Sequence, residues 1–205
     1  MFRGEKQSGF TLIELMVVLA IAAIVITLST PLSNLFQQNR ISSQVREFAG
    51  ALNLARGAAI SRGSCVSLCI SDGNNPAGCR AATIDDDQES WNDGWLVFTD
   101  TNCNAGIDAG DNDTVLKQYD GLPNGYSLRV QSTNNGDGES NDNRETITYQ
   151  PSGIARNSAG TWTLCDPSGR SAFKRGIDIS VSGRVQSLKV DDANNQGIAL
   201  ADCPP

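Results

Sequence analysis

The chain contains no histidine at all. That absence removes the Ser-His and Cys-His nucleophile pairs and the commonest transition-metal ligand. Its six cysteines form no CxxC pair, so a zinc site would have to be all-cysteine at unsuitable spacings. Carboxylates are plentiful but cluster in turn-forming stretches. No nucleophile–base pair can be assembled, and the chain reads as a non-enzyme with no cofactor. Basic residues are in deficit too, 16 Lys and Arg against 23 Asp and Glu, for a net charge of -7. Bulk acidity of this kind argues against a general nucleic-acid binder. No internal repeat is evident, and 205 residues suffice for one domain plus an anchor.

One long apolar run is present. After a short leader carrying Arg3, Glu5 and Lys6, Phe10 opens a stretch to Leu28 whose only charge is Glu14. About 20 apolar residues cross roughly 30 Å of hydrocarbon as a helix. A carboxylate one turn inside such a span costs several kcal/mol unless it meets a partner. An ordinary anchor has no use for Glu14. A secretory signal is also excluded, because no small-x-small cleavage site follows the run. If the chain is cut, the cut lies between Gly9 and Phe10, which keeps the apolar helix in the mature protein.

Beyond Pro31, Phe36, Ile41, Val45, Phe48, Leu52, Ala55 and Ala59 recur at steps of three to five. The spacing predicts one long helix from about Phe10 to about Arg62, loosened or bent at Pro31 and capped by Gly63. Its first half is apolar all round. Its second half is amphipathic and can bury one stripe. From Ser64 the pattern changes to eight short strands: 65–71, 95–100, 114–120, 126–132, 145–150, 161–166, 176–181 and 184–190. Turn words such as Leu122-Pro123-Asn124-Gly125 separate them. The stretch 134–143 has no apolar residue and reads as a mobile loop. The expected fold is α+β, a long N-terminal helix packed on an antiparallel two-sheet β head. Its parts are a leader (1–9), a transmembrane or filament-core helix (10–31), an amphipathic half (32–63) and a β-rich head (64–205). Trp91, Trp95, Phe98 and Trp162 are expected in the core of that head.

The words Gly9-Phe10-Thr11-Leu12-Ile13-Glu14 closely resemble the type IV prepilin signal. The resemblance implies cleavage after Gly9 by a prepilin peptidase, methylation of the new N-terminal Phe10, and a role for Glu14 in meeting the N-terminal amine of a neighbouring subunit. A buried charge is tolerable when a second buried charge pairs with it. Further words narrow the likeness: Ala51-Leu52-Asn53-Leu54-Ala55-Arg56-Gly57-Ala58-Ala59-Ile60, then Trp91-Asn92-Asp93-Gly94-Trp95 running on to Phe98, Asp100, Asn102 and Asn104, and finally Gly183-Arg184. Together they resemble the GspH/FimT/FimU group, minor pilins of type IV pili and minor pseudopilins of type II secretion. The resemblance covers essentially the whole chain. It implies a single-pass bacterial inner-membrane protein with a periplasmic head, later incorporated into a pilus or pseudopilus, near the tip, with other major and minor pilins as partners. There it aids filament assembly and protein secretion.

Three further groups are candidates. All six cysteines lie beyond the apolar run, and an even count in an exported head reads as disulfides. Fifteen pairings are possible. Cys69 with Cys79 and Cys165 with Cys203 are the expected pairs, leaving Cys65 and Cys103. Asp100, Asn102, Asn104 and Asp111 echo part of a calcium loop, but Ala105 stands where that loop needs glycine and the closing residue is Asp instead of Glu. A tight turn explains them more simply. Charge is uneven: residues 72–142 carry 14 acidic and three basic residues, residues 154–190 two acidic and six basic. Lys174, Arg175, Arg184 and Lys189 in the basic third are possible DNA contacts. Some relatives in the group bind DNA in natural transformation through a Gly-Arg-x-Arg tail. Here Gly183-Arg184-Val185-Gln186 lacks the second arginine, and one phosphate contact fewer favours a plain exposed face.

Overall fold

The computed structural model describes residues 10–73, 78–80, 90–131, 145–156, 158–196, 198, 200, 202 and 203, with only the backbone of 27–34. The polar stretch 134–143 and the leader up to Gly9 lie outside the described residues. The chain divides into two compact units, Met1–Asn39 and Arg40–Pro205.

Helix α1 spans Leu12–Arg62 and continues through Pro31. In the first unit its described large apolar side chains are exposed, from Phe10 at 81% to Phe36 at 64%. Among the described residues no helix is long and apolar enough to cross a membrane. The described side chains of the apolar run end at Ile26, fifteen residues after the helix begins at Leu12. A span requires about 20.

In the second unit α1 becomes one-sided. Ile41, Val45, Phe48, Ala51, Leu52, Ala55 and Ala59 are all buried, and their spacing of three and four keeps them on one face. Phe36, which the sequence spacing puts in the same stripe, is exposed. Burial starts at Ile41, just after the second unit begins. Gly63 adopts φ +67° and its N–H donates to the carbonyl of Ala59, which ends the helix.

The head consists of two antiparallel sheets. The first orders its strands β3-β2-β1-β5-β6, and the second β4-β7-β8-β9. The strands are β1 (Cys65–Ile70), β2 (Trp95–Asp100), β3 (Val115–Tyr119), β4 (Ser127–Gln131), β5 (Thr146–Tyr149), β6 (Ala155–Arg156), β7 (Gly160–Cys165), β8 (Arg175–Ile179) and β9 (Val185–Lys189). Strand β6 is too short to leave a pattern in sequence. Helix α2 (Val190–Asn195) is likewise absent from the strand pattern, and begins at the last residue of the expected final strand. Asp191 and Asp192 occupy its first turn, where the helix dipole favours them.

Strand β1 is buried at all six positions, so both of its faces are covered. Val66, Leu68 and Ile70 join Phe48, Trp91, Trp95 and Trp162 in the main core. Successive side chains point to opposite faces. Cys69 therefore faces away, with Leu96 and Phe98, in a smaller cluster covered by Cys79 and Ile107. The disulfides are Cys65–Cys103, Cys69–Cys79 and Cys165–Cys203. The first two start on that outer face of β1 and tie the loops that cover it. The last two are the pairs expected from the sequence, and the first takes the two cysteines left over.

Candidate functional site

Helix α1 starts just after the Gly9–Phe10 junction, and Thr11 starts it. The Glu14 N–H reaches Thr11 Oγ1 at 3.4 Å, and the Leu15 N–H donates to the Thr11 carbonyl at 3.2 Å. Thr11 is thus the N-cap and Glu14 the third helical residue, the spacing of a capping box. Glu14 also places its charge at the positive end of the helix dipole. Glu14 and Phe10 are both exposed in the single chain. Gly9 lies outside the described residues. Thr11 was not singled out from sequence, although the Thr-x-x-Glu spacing is there to be read.

The acidic loop is closed by its own hydrogen bonds. Asp100 is fully buried, and its Oδ2 accepts from Ser67 Oγ at 2.7 Å and the Ala105 N–H at 3.0 Å. Its Oδ1 accepts from the Asn104 N–H at 3.0 Å. With the Ser67 proton committed to Asp100, Thr148 Oγ1 donates to Ser67 Oγ at 2.8 Å. The Asn102 amide donates to Asp111 and the Asn104 amide to Asp108. Asp113 accepts from the N–H groups of Thr101 and Asp108 at 2.9 and 3.1 Å. Desolvation pushes the Asp113 carboxyl up, but those two backbone bonds outweigh it and hold the group below its ordinary value. Among the described residues no group of three or more Cys, Asp or Glu is arranged to hold a metal ion. The four calcium candidates instead organise a turn that the Cys65–Cys103 bridge ties to β1.

The basic candidates are dispersed. Arg175 and Lys189 sit opposite each other in the β8–β9 pair. Arg175 also donates to the carbonyls of Ala172 and Lys174. Lys174 Nζ pairs with Asp202 at 3.3 Å. Arg184 stands at the other end of the same hairpin, five residues from Lys189, or about 17 Å along an extended strand.

The sequence words that carry the family likeness converge on two structural joints. At the first, Phe48 of α1 lies edge-on to Trp91 and Trp95, with ring centroids 5.5 and 5.1 Å away, and near Trp162 at 6.4 Å. Asn92 joins the two sheets there. Its carbonyl accepts from the Leu122 N–H at 2.8 Å, and its side-chain oxygen accepts from the Leu128 N–H of β4 at 2.7 Å. Gly94 must be glycine, because at φ +106° a Cβ would lie 2.6 Å from the Tyr119 carbonyl oxygen. At the second joint, Arg56 of α1 donates through Nε to the Gly153 carbonyl at 3.0 Å and through Nη2 to the Ser182 carbonyl at 3.2 Å. A Cβ on Gly183 would fall 1.9 Å from the same Gly153 oxygen. Arg56 and Asn92 carry these joints, and sequence alone gives their motif membership without their partners.

The comparisons agree with this geometry. No curated protein matches the chain significantly. The type IV minor pilin FimU of Pseudomonas aeruginosa PAO1 shares the fold, at 21% identity and a TM-score of 0.51 over 73% of this chain and 89% of that one. The minor pseudopilin EpsH of the Vibrio cholerae type 2 secretion system aligns at 13% identity and a TM-score of 0.44, over 73% of this chain and 97% of that one. The profile of the prokaryotic N-terminal methylation motif matches residues 5–30. The profile described as type II transport protein GspH matches residues 44–183, more than half of the chain and both of its structural joints, and the chain therefore belongs to the GspH family.

Proposed function

We propose that the chain is a minor subunit of a type IV pilus or type II secretion pseudopilus, with a structural and not a catalytic role. It begins as a single-pass inner-membrane protein with its head in the periplasm. Prepilin peptidase cuts after Gly9 and methylates Phe10. The apolar helix then moves from lipid into a bundle of like helices, near the filament tip, where the amine of a neighbouring subunit meets Glu14.

The observation that carries this reading is the first unit itself. Its described large apolar side chains from Phe10 to Ile26 are exposed, with Glu14 among them, inside a stretch that matches the methylation motif. Covering one large apolar side chain stabilises by about 1.5–3 kcal/mol. A dozen such side chains have no cover of their own, so lipid or neighbouring helices must supply it. Intact-mass measurement of protein from its host should show loss of residues 1–9 and gain of one methyl group. Glu14→Ala should be cut and membrane-inserted yet absent from sheared filaments, and Glu14→Leu should behave alike despite its greater apolarity. A mature chain that starts at Met1, or normal incorporation of both variants, overturns the reading.

A further inference from the structure

A second candidate site lies in the head. A cavity of about 440 Å³ is lined by Asn92, Asp93, Leu122, Tyr126, Asp166 and Pro167, among others. Asp166 directly follows the β7 strand and is 2% exposed. Its carboxylate is satisfied on one side only. Oδ2 accepts from Ser168 Oγ at 2.6 Å and the Ser168 N–H at 3.3 Å. Oδ1 is buried without a hydrogen-bond partner among the described residues. A buried anionic oxygen without a donor is costly, and each such atom calls for an explanation. Asp93 adds a second carboxylate to the wall, with one oxygen paired to Arg80. Among the described residues no basic side chain lines the cavity.

We infer that this cavity is a socket for a cationic side chain, the guanidinium of an arginine or the ammonium of a lysine, carried by a neighbouring filament subunit. That partner assignment rests on the filament reading above. Three features favour an organic cation over a bare metal ion. The space is large, whereas calcium holds its oxygens at about 2.3–2.6 Å. The described residues offer no cluster of three acidic side chains. The walls also combine carboxylates with the apolar surfaces of Leu122, Pro123 and Pro167, which suit the aliphatic stem of a long basic side chain. Oδ1 is itself buried, and the soft terminal torsion of an aspartate lets the carboxylate turn toward an entering donor. Asn92, which bridges the sheets, forms part of the same wall, so the socket stands on a rigid joint.

The test titrates the full-length protein in detergent at low salt with N-acetyl-arginine amide, N-acetyl-lysine amide and calcium chloride in separate arms, followed by amide chemical shifts. Saturable shifts at Asn92, Asp93, Tyr126 and Asp166 with an organic cation are expected. Asp166→Asn should weaken them at least tenfold without lowering the melting temperature, because it removes a half-satisfied charge. Asp93→Asn, more exposed, should weaken them about threefold and serves if the first variant misfolds. In the host, Asp166→Asn should be cut after Gly9 normally but recovered several-fold less in sheared filaments. No saturable shift, shifts with calcium alone, or undiminished binding by Asp166→Asn overturns the socket. Normal filament recovery of Asp166→Asn overturns the neighbouring-subunit assignment. Cleavage at Gly9 is read separately, so failure of the filament reading is distinguishable from failure of the socket.

Discussion

The two stretches of α1 both carry apolar side chains, the first many more large ones, and they bury them differently. From Arg40 onward, Ile41, Phe48, Leu52, Ala55 and Ala59 disappear beneath two sheets of the same chain. Before Asn39 the apolar residues surround the helix, and the large ones whose side chains are described are exposed. A one-sided stripe is a pattern that one chain can satisfy by itself. An all-round pattern is not, since a helix has only one side to turn to its own head. On the proposed function the first stretch takes its cover from outside the molecule, whereas the second is held by tertiary packing. The placement of polar groups follows the same division. The second stretch uses Arg56 to reach two turns of the head, while in the first Glu14 stands beside its cap at Thr11.

The largest effect that would sharpen this comparison comes from Phe48. It touches all three tryptophans at the joint of helix and sheets. Phe48→Ala should destabilise the head by about 3–5 kcal/mol. Denaturant unfolding followed by tryptophan fluorescence should show it. Cleavage and membrane insertion should persist, because the first stretch does not use that core. Loss of insertion in this variant would break the division between the two stretches.

Next in size is the bridge Cys165–Cys203, which closes a separation of 38 residues. On the loop-entropy account it constrains the unfolded chain by about 3–4 kcal/mol. It also holds the tail against β8: a Cβ on Gly176 would meet Leu200 Cδ2 at 2.6 Å, and Lys174 pairs with Asp202. Cys203→Ser should lower the melting temperature of the head and expose the tail to protease, leaving the rest of the domain resistant. Unchanged melting would show that Leu200 and Asp202 pin the tail unaided.

The fold was legible because its largest pieces have strong periods. The helix is a run of 51 residues with two distinct patterns, and eight of the nine strands overlap the stretches expected from the sequence. What remained hidden depends on contacts far apart in sequence. Arg56 meets carbonyls 97 and 126 residues away, and Asn92 meets a backbone N–H 36 residues away. No local spacing encodes such partners. The strand β6 and helix α2 are short enough that tertiary context forms them. At the N-terminus the reverse holds, since Glu14 and its cap are three residues apart and the whole assembly signal is local. The acidic loop was legible as turn chemistry. Its buried anchor at Asp100 was not, because only the fold brings Ser67 and Thr148 to it.

A smaller effect comes from Tyr149, which sits beneath the Arg56 joint. Burial pushes its phenol well above the ordinary value of 10.0, and the positive charge of Arg56 only partly offsets that. Its hydroxyl has no hydrogen-bond partner among the described residues. A folded-state value above the unfolded one stabilises fully below the unfolded value and is lost as pH rises beyond it. Head stability should therefore decline above about pH 10 through this residue. Tyr149→Phe should remove that part of the decline. It should also be neutral or slightly stabilising at pH 7, since it deletes an unsatisfied buried group. A clear loss of stability at pH 7, by thermal melting, would mean that the hydroxyl has a partner.

The smallest effect belongs to Asp113, a half-exposed group whose carboxylate ties the two ends of the acidic loop. Because the N–H bonds from Thr101 and Asp108 hold it below its ordinary value of 3.8, the sign is opposite to that of Tyr149. Its contribution is present above the unfolded value and is lost as pH falls through the folded one. Acidification below about pH 4 should first loosen the loop at Thr101 and Asp108, with faster amide exchange at those two positions. The Cys65–Cys103 bridge should keep the loop attached to β1 meanwhile. Asp113→Asn should reproduce the faster exchange at neutral pH, because an amide oxygen accepts more weakly than a carboxylate and presents only one acceptor where two are used. Global stability should change by no more than a few tenths of a kcal/mol, as is usual for surface positions. If Asp113→Asn instead lowers the melting temperature of the whole head, the loop is part of the folding unit, and the contrast between self-sufficient head and dependent helix extends further out than the sheets.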